Sequence, residues 1–293
     1  MRHATTPHAE SPGAPGCVTD AGALPPTSDP GYVAFWDDVG ESFPSLKGAP
    51  STAYYFECER TLCEQLFPDL QGKSLLKTDL WDEAKNTEIL RWAATQGARP
   101  FGIDIAFATL RQACQLDWPR RPGFALADVR RLPFRSNSMD LIYSMGTIEH
   151  FPDYSVAVAE LFRVLKPGGT AIIGVPNKLD PFLRPLMVTL LNRFGLYDYG
   201  MERSFTPLEL CRLLESAGFR VTGLSGVLFI PGWLRMLDLW IHTRNRRLSW
   251  LTAAPVGPFR WMYRRYPVVR RHGYLVAACV TKPTLARSQP KSH

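Results

Sequence analysis

A doubly wound α/β fold, with a parallel sheet covered by helices on both faces, is the architecture this sequence predicts. Three observations point to it. Between residues 74 and 177, strand-like and helix-like segments alternate regularly. The strand segments are short and almost wholly apolar, as strands buried on both faces must be. Acidic residues recur where successive strands end, at Asp79, Asp104 and Asp128, on the side of an open sheet where ligands bind.

Taken in order, "SLLKTDL" reads as the first strand, "EILRWAATQG" as a helix stopped at Gly97, and "PFGIDIA" as the second strand. "FATLRQACQL" is helical, "FALADV" is the third strand and "MDLIYSM" the fourth. "YSVAVAELFRVLKPGG" predicts a helix that Pro167, Gly168 and Gly169 stop, and "GTAIIGVPN" the fifth strand. In "TPLELCRLLESAGF" Thr206 is placed to cap a helix, with Pro207 at its first position and Gly218 at its stop. "RVTGLSGVLFI" and "GYLVAACVTK" predict two closing strands, and a basic, aromatic insertion over 231–272 separates them. Upstream, "YVAFWDDVGESF" and "STAYYFECERTLCEQLF" predict a helical cap over 31–72, with Tyr55, Leu62 and Leu66 on one helix face.

The 293 residues, 45% of them hydrophobic, suit one large domain with extensions. Residues 1–30 hold six Pro, three Gly and six Ser or Thr and no Phe, Trp or Tyr, so they predict a disordered tail; a flexible tail is expected over 284–293. Charge is uneven. From Pro231 onward there are twelve Lys or Arg against one acid, Asp238, which leaves −4 of the net +7 for everything before. A basic block on a mildly acidic body predicts an anionic partner. The six cysteines show neither Cys-x-x-Cys spacing nor histidine partners at zinc-finger distances, so no metal is expected and a reducing, cytoplasmic location is. Arg184, Arg193, Arg235 and Asp238 interrupt the most apolar windows, which argues against a membrane-spanning helix.

A carboxylate at the end of the second strand can accept both hydroxyls of a ribose, and one after the third strand, with a backbone amide beside it, can read an adenine edge. Each Asp alone is as well explained as a turn residue or helix cap. Three in register with three strands describe a site for an adenosine-containing cofactor.

The runs "ADVRRLPFRSNSMDLIYSMGTIEHF", "ELFRVLKPGGTAIIGVPN" and "TPLELCRLLESAGFRVTGL" together resemble the class I S-adenosylmethionine-dependent methyltransferases, in particular the small-molecule methyltransferase type 11 group. The resemblance covers roughly residues 72–230 and the last strand near 273–282. It implies a methyltransferase domain over 73–283 with a Rossmann-like, mostly parallel seven-stranded sheet whose last strand is antiparallel. It implies S-adenosylmethionine as cofactor, with Asp104 on the ribose, Ile105 against the adenine, Asp128 and the Val129 backbone at the adenine edge, and Met145 and Gly146 under the methionine moiety. His150 is the candidate general base, as imidazole titrates near neutrality, although capping the following helix is an equal use for it.

One stretch departs from the family. After the first strand the family usually carries Asp-x-Gly-x-Gly-x-Gly; here Asp79 stands, but Trp81, Glu83 and Lys85 occupy the glycine positions in "LLKTDLWDEAKNTEIL". Such side chains block close approach of the backbone to a cofactor. The stretch resembles a subset of the family reading Lys-Thr-Asp-Leu-Trp-x-Glu-x-Lys-Asn-Thr. Glu83 and Lys85 are therefore expected to pair with the ammonium and carboxylate of the cofactor. The alternative is a catalytically silent relative that serves as a binding or scaffold protein.

The segment after the fifth strand is expected to shape the acceptor pocket with Asn177, Tyr197, Tyr199 and Glu202. In the insertion, Trp233, Met236, Leu237, Trp240, Ile241, Leu248 and Leu251 would share one side, opposite arginines. That pattern fits a helix lying on an anionic membrane surface, or one packed on the sheet with a solvated basic edge. Methyl transfer to a small amphipathic or lipid-linked acceptor is the expected function, with RNA methyl transfer as the alternative. The chain carries no separate RNA-binding module and no Asn/Asp-Pro-Pro-Tyr run, which argues against nucleic acid.

Overall fold

In the computed structural model the described residues are 29–67, 69–196 and 200–284. Most of the tail expected over 1–30, most of that over 284–293, and both Tyr197 and Tyr199 lie outside them.

Two helices come first, α1 (Pro30–Ser42) and α2 (Pro50–Leu66), each with Pro in its first turn, where a missing N–H costs nothing. Asp29 caps α1 by accepting from the Gly31 amide. Strand β1 (Ser74–Lys77) leads into a single turn, α3 (Trp81–Lys85), and then α4 (Ile89–Thr95). β2 (Arg99–Asp104), α5 (Phe107–Cys114), β3 (Gly123–Leu126) and β4 (Met139–Met145) follow. Then come α6 (Tyr154–Val164), β5 (Leu165–Pro176), α7 (Arg184–Arg193), α8 (Pro207–Ser216) and β6 (Arg220–Val227). The insertion forms α9 (Gly232–Arg244) and α10 (Trp250–Arg265), and β7 (Leu275–Thr281) closes the chain.

The seven strands form one sheet in the order β3-β2-β1-β4-β5-β7-β6; β7 runs antiparallel to both neighbours and the other pairings are parallel. The order reverses between β1 and β4, so a crevice opens beyond their carboxyl ends. One apolar layer, with Leu75, Tyr143, Tyr54, Cys58 and Leu62, covers one face. The other, with Leu76, Ile103, Ile142, Ile173 and Leu161, covers the opposite face.

Local chemistry accounts for the boundaries. Thr206 and Glu209 form a reciprocal cap on α8: the Glu209 amide donates to Thr206 Oγ1 (3.1 Å) and the Thr206 amide to Glu209 Oε2 (2.7 Å). The helix expected to run to the glycine pair stops three residues earlier, at Val164. Leu165 is extended (φ −69°, ψ 135°), Lys166 precedes a proline, which disfavours helix, and Gly168 takes a positive φ of 78°. Gly102 is required by close packing, since a Cβ there would stand 2.6 Å from a Leu80 methyl. α1 crosses α5, where Asp37 accepts from the Ala108 amide (2.7 Å) and Gly40 lies against Thr109. This places α1 over the mouth of the crevice.

Candidate active site

Beyond the strand ends lies a cavity of about 930 Å³, near the upper end of the ~300–1,000 Å³ usual for ligand sites. Its floor holds Asp79, Asp104, Ile105, Asp128, Val129, Met145, Gly146, Thr147 and Glu149. Its walls come from α1 (Tyr32, Phe35, Trp36), from Phe43 and Trp81, and from α9 (Arg235, Met236, Leu239, Trp240).

The three strand-end acids are held differently. Asp104 is buried, and its two oxygens accept from the amides of Leu80 and Ala106, both at 2.8 Å; burial pushes its carboxyl up to about 7. Asp128 receives the Arg130 amide (2.8 Å) and the Arg130 guanidinium on both oxygens (3.0 and 2.6 Å). Arg130 also bonds Asp153 and rests on the Phe151 ring. Asp79 is clamped between the Lys77 ammonium (3.0 Å) and the Thr147 hydroxyl (3.0 Å).

Lys77 was not singled out from the sequence, yet it organises the whole loop. It is fully buried, and its Nζ lies 3.0 Å from Asp79, 3.0 Å from Asp82 and 3.5 Å from Glu83. The signal was a lysine in an otherwise apolar strand, followed by acids two, five and six positions on. Glu83 is wholly buried below the cavity; one oxygen accepts from the Leu90 amide (2.7 Å), and burial raises its carboxyl to about 7. Lys85 points the other way, donating to the Phe43 carbonyl (2.6 Å). The structure therefore places Glu83 and Lys85 outside the cavity lining, where they tie the loop to its own surroundings.

His150 lines the cavity against Trp36, with ring centroids 4.9 Å apart and Nδ1 2.9 Å from the Met201 carbonyl. A carbonyl only accepts, so Nδ1 carries the proton and Nε2 keeps its lone pair. Burial lowers the imidazole pKa, which keeps the ring neutral at pH 7. Glu202 also lines the cavity, in a buried two-bond pair with Arg184 (2.5 and 2.8 Å), whose guanidinium lies over Tyr274. Asn177 is buried to one side; it donates to the Gly273 carbonyl (3.0 Å) and accepts from the Leu179 amide (3.0 Å). Glu149, beside His150, is buried with Oε2 lacking any hydrogen-bond partner, and burial raises its pKa well above the usual range.

The donor and acceptor set fits an adenosyl cofactor. Carboxylates stand at three neighbouring strand ends with apolar Ile105 and Val129 beside them, and Glu149, one of whose oxygens is buried without a partner, belongs to the same lining. Among the described residues no group of His, Cys, Asp or Glu side chains is arranged to hold a metal ion.

Residues 85–173 match the family model described as a methyltransferase domain. A probable S-adenosylmethionine-dependent methyltransferase of Mycolicibacterium smegmatis is 28% identical over 188 residues, covering 62% of this chain and 66% of its own. The 2-methyl-6-phytyl-1,4-hydroquinone methyltransferase of Synechocystis is 30% identical over 151 residues, covering 48% of this chain and 47% of its own. In both, the match spans less than two thirds of the relative's length. In fold, the Haemonchus contortus phosphoethanolamine N-methyltransferase 2, solved with S-adenosyl-L-methionine, is similar at a TM-score of 0.53 and 16% identity, covering 85% of this chain and 60% of that one. With this sheet order and these strand-end carboxylates, the chain is similar in sequence and in fold to class I S-adenosylmethionine-dependent methyltransferases, and its residues 85–173 match their domain model.

Proposed function

We propose that this protein transfers a methyl group from S-adenosylmethionine to a small amphipathic or lipid-linked acceptor. One observation carries the reading. A single cavity joins a carboxylate-bearing floor to an apolar wall of Phe35, Trp36, Met236, Leu239 and Trp240, so a polar nucleoside and an apolar acceptor have adjoining places. When bound, the cofactor supplies an electrophilic methyl on its sulfonium. Asp104, already fixed by two backbone amides, has lone pairs left for the ribose hydroxyls, and Ile105 and Val129 offer surface to the base. The carboxylate of Asp128 is shared with Arg130, so the adenine amino group would join an existing network there. Met145 and Gly146 underlie the region between floor and wall. Alignment of nucleophile, methyl and leaving group in a cavity sheltered by α1 supplies much of the rate gain in such a displacement. Where the acceptor must lose a proton, His150 is our candidate base, since its Nδ1 is committed to the Met201 carbonyl and its Nε2 keeps a lone pair.

The acceptor class draws on the apolar wall and on the quinol methyltransferase among the relatives. Anionic membrane contact through 231–272 draws on the exposed faces of the insertion. Trp233 is 62%, Trp240 54% and Trp250 69% exposed, and Leu186 and Leu190 of the adjacent α7 are exposed as well. Arg244, Arg246 and Arg247 follow at the end of α9. No described helix is long and apolar enough to cross a membrane.

Calorimetry tests the core of this reading. The full chain is expected to bind S-adenosylhomocysteine saturably, and Asp104→Ala to weaken that binding at least about tenfold, the loss of hydrogen bonds to a charged acceptor. A chain that ignores the ligand at millimolar concentration, or an alanine variant as tight as the parent, would overturn it.

A further inference from the structure

We infer that Arg235 of α9 holds the α-carboxylate of the cofactor, taking the place of the backbone amides that a glycine-rich turn after β1 would present. The inference rests on the reading that the cavity takes S-adenosylmethionine.

The cavity is lined by Asp79, Asp82, Asp104, Asp128 and Glu202, so a carboxylate entering it meets repulsion unless a positive group compensates. The loop after β1 provides none: Lys77 is enclosed by Asp79, Asp82 and Glu83, and Lys85 is turned to the Phe43 carbonyl. Two guanidinium groups line the cavity among the described residues. That of Arg184 is engaged by both oxygens of Glu202.

Arg235 differs. It forms no ion pair with any described carboxylate, and its hydrogen bond to protein is one long contact with the Ser51 carbonyl at 3.4 Å. Its guanidinium is instead set over the rings of Tyr55 (5.2 Å) and Tyr274 (6.0 Å), which orient the fork without consuming its donors. A guanidinium has five N–H donors in a geometry that matches a carboxylate with two parallel bonds. At most one of the five is used here.

Position agrees with this role. With the adenosine over the ends of β2 and β3, the rest of the cofactor must extend across β1 towards β4, given the order β3-β2-β1-β4. Arg235 stands on that far side: Tyr274 directly precedes β7, and Tyr55 lines the cavity together with Asp79, just past β1, and Asp82 of α3. An insertion outside the core of the fold thus supplies the charge that the glycine-free loop does not.

The experiment is calorimetry on the full chain with two thioether nucleosides, S-adenosylhomocysteine and methylthioadenosine, which lacks the amino-acid end. Arg235→Gln is expected to weaken S-adenosylhomocysteine at least about tenfold while leaving methylthioadenosine within about twofold, and Arg235→Lys to recover part of the loss. Unchanged S-adenosylhomocysteine binding in Arg235→Gln overturns the inference. Equal loss of both nucleosides also overturns it, since Arg235 would then only shape the pocket. A parent chain that binds neither nucleoside overturns the cofactor reading itself, and this inference with it.

Discussion

The loop after β1 and helix α9 face each other across one cavity, and they treat charge in opposite ways. In the loop, Lys77, Asp82 and Glu83 are buried and Asp79 is half-buried, and the lysine is ion-paired with all three acids within six positions of chain. In α9, Asp238 is likewise buried, with Ser51 and Thr252 as partners, but Arg235 has no carboxylate and Trp233 and Trp240 are largely uncovered. Interlocked charges build a rigid floor. Groups left without protein partners are the ones free to meet a ligand or a surface. Reactive-looking residue types are therefore a weaker guide to the site than the question of which of them the fold leaves unsatisfied.

The largest effect that would break this contrast is in the loop. Lys77→Met leaves the buried Asp82 and Glu83 and the half-buried Asp79 around an apolar side chain, and losing one partner of a buried ion cluster typically costs about 3–5 kcal/mol. Urea unfolding of Lys77→Met should show a loss of that order; a change under about 1 kcal/mol would mean that the lysine does not hold the loop. Adding Glu83→Gln to it should restore part of the stability by removing one of the stranded charges.

The next effect sharpens the floor. With the Asp104 carboxyl at about 7 in the ligand-free fold and ribose hydroxyls favouring the ionised form, binding must tighten as pH rises through 7. From pH 8 to pH 6, affinity for S-adenosylhomocysteine should fall by about tenfold, and Asp104→Asn should abolish that dependence. Stability moves the other way. The folded chain keeps a proton on Asp104 and Glu83 that the unfolded chain gives up near the ordinary carboxylate value, so this contribution is full at acid pH and lost as pH rises through about 7. A pH-independent affinity would remove the assignment of Asp104 to the ribose.

The smallest effect on stability is expected in α9. Exchanging Trp233 and Trp240 together for Ser removes exposed surface, so unfolding free energy should stay within about 0.5 kcal/mol per site, while sedimentation with phosphatidylserine-containing vesicles should fall severalfold. Vesicle binding equal to the parent would remove the membrane reading of this face.

Much of this was legible in one dimension because it is local. Alternating apolar segments marked the strands, and Thr206 with Glu209 marked the start of α8. The run from Asp79 through Asp104 to Asp128 marked the end of the sheet that carries the cavity. A charge beside an expected binding turn has an obvious use, so the sequence points to Glu83 and Lys85 as cofactor contacts. Which way each side chain points depends on a five-residue helix whose phase periodicity cannot reveal, on the Leu90 amide that donates to Glu83 and on the Phe43 carbonyl that accepts from Lys85. The apolar side of α9 was equally visible, but not that Leu234, Asp238 and His242 would take the buried face and leave the tryptophans outside.

Hydrophobic period, capping residues and strand-end acids act over a few positions of chain, so composition and spacing alone determined the kind of elements, their sequence and the side of the sheet that binds. Partner choice is non-local. Asp238 meets Ser51 across 187 positions and Tyr143 meets Glu59 across 84. Only the packed chain could decide that Lys77 is enclosed, that Arg184 is engaged by Glu202 and that Arg235 is left facing the cavity, because a charge declares its function only once its neighbours are known.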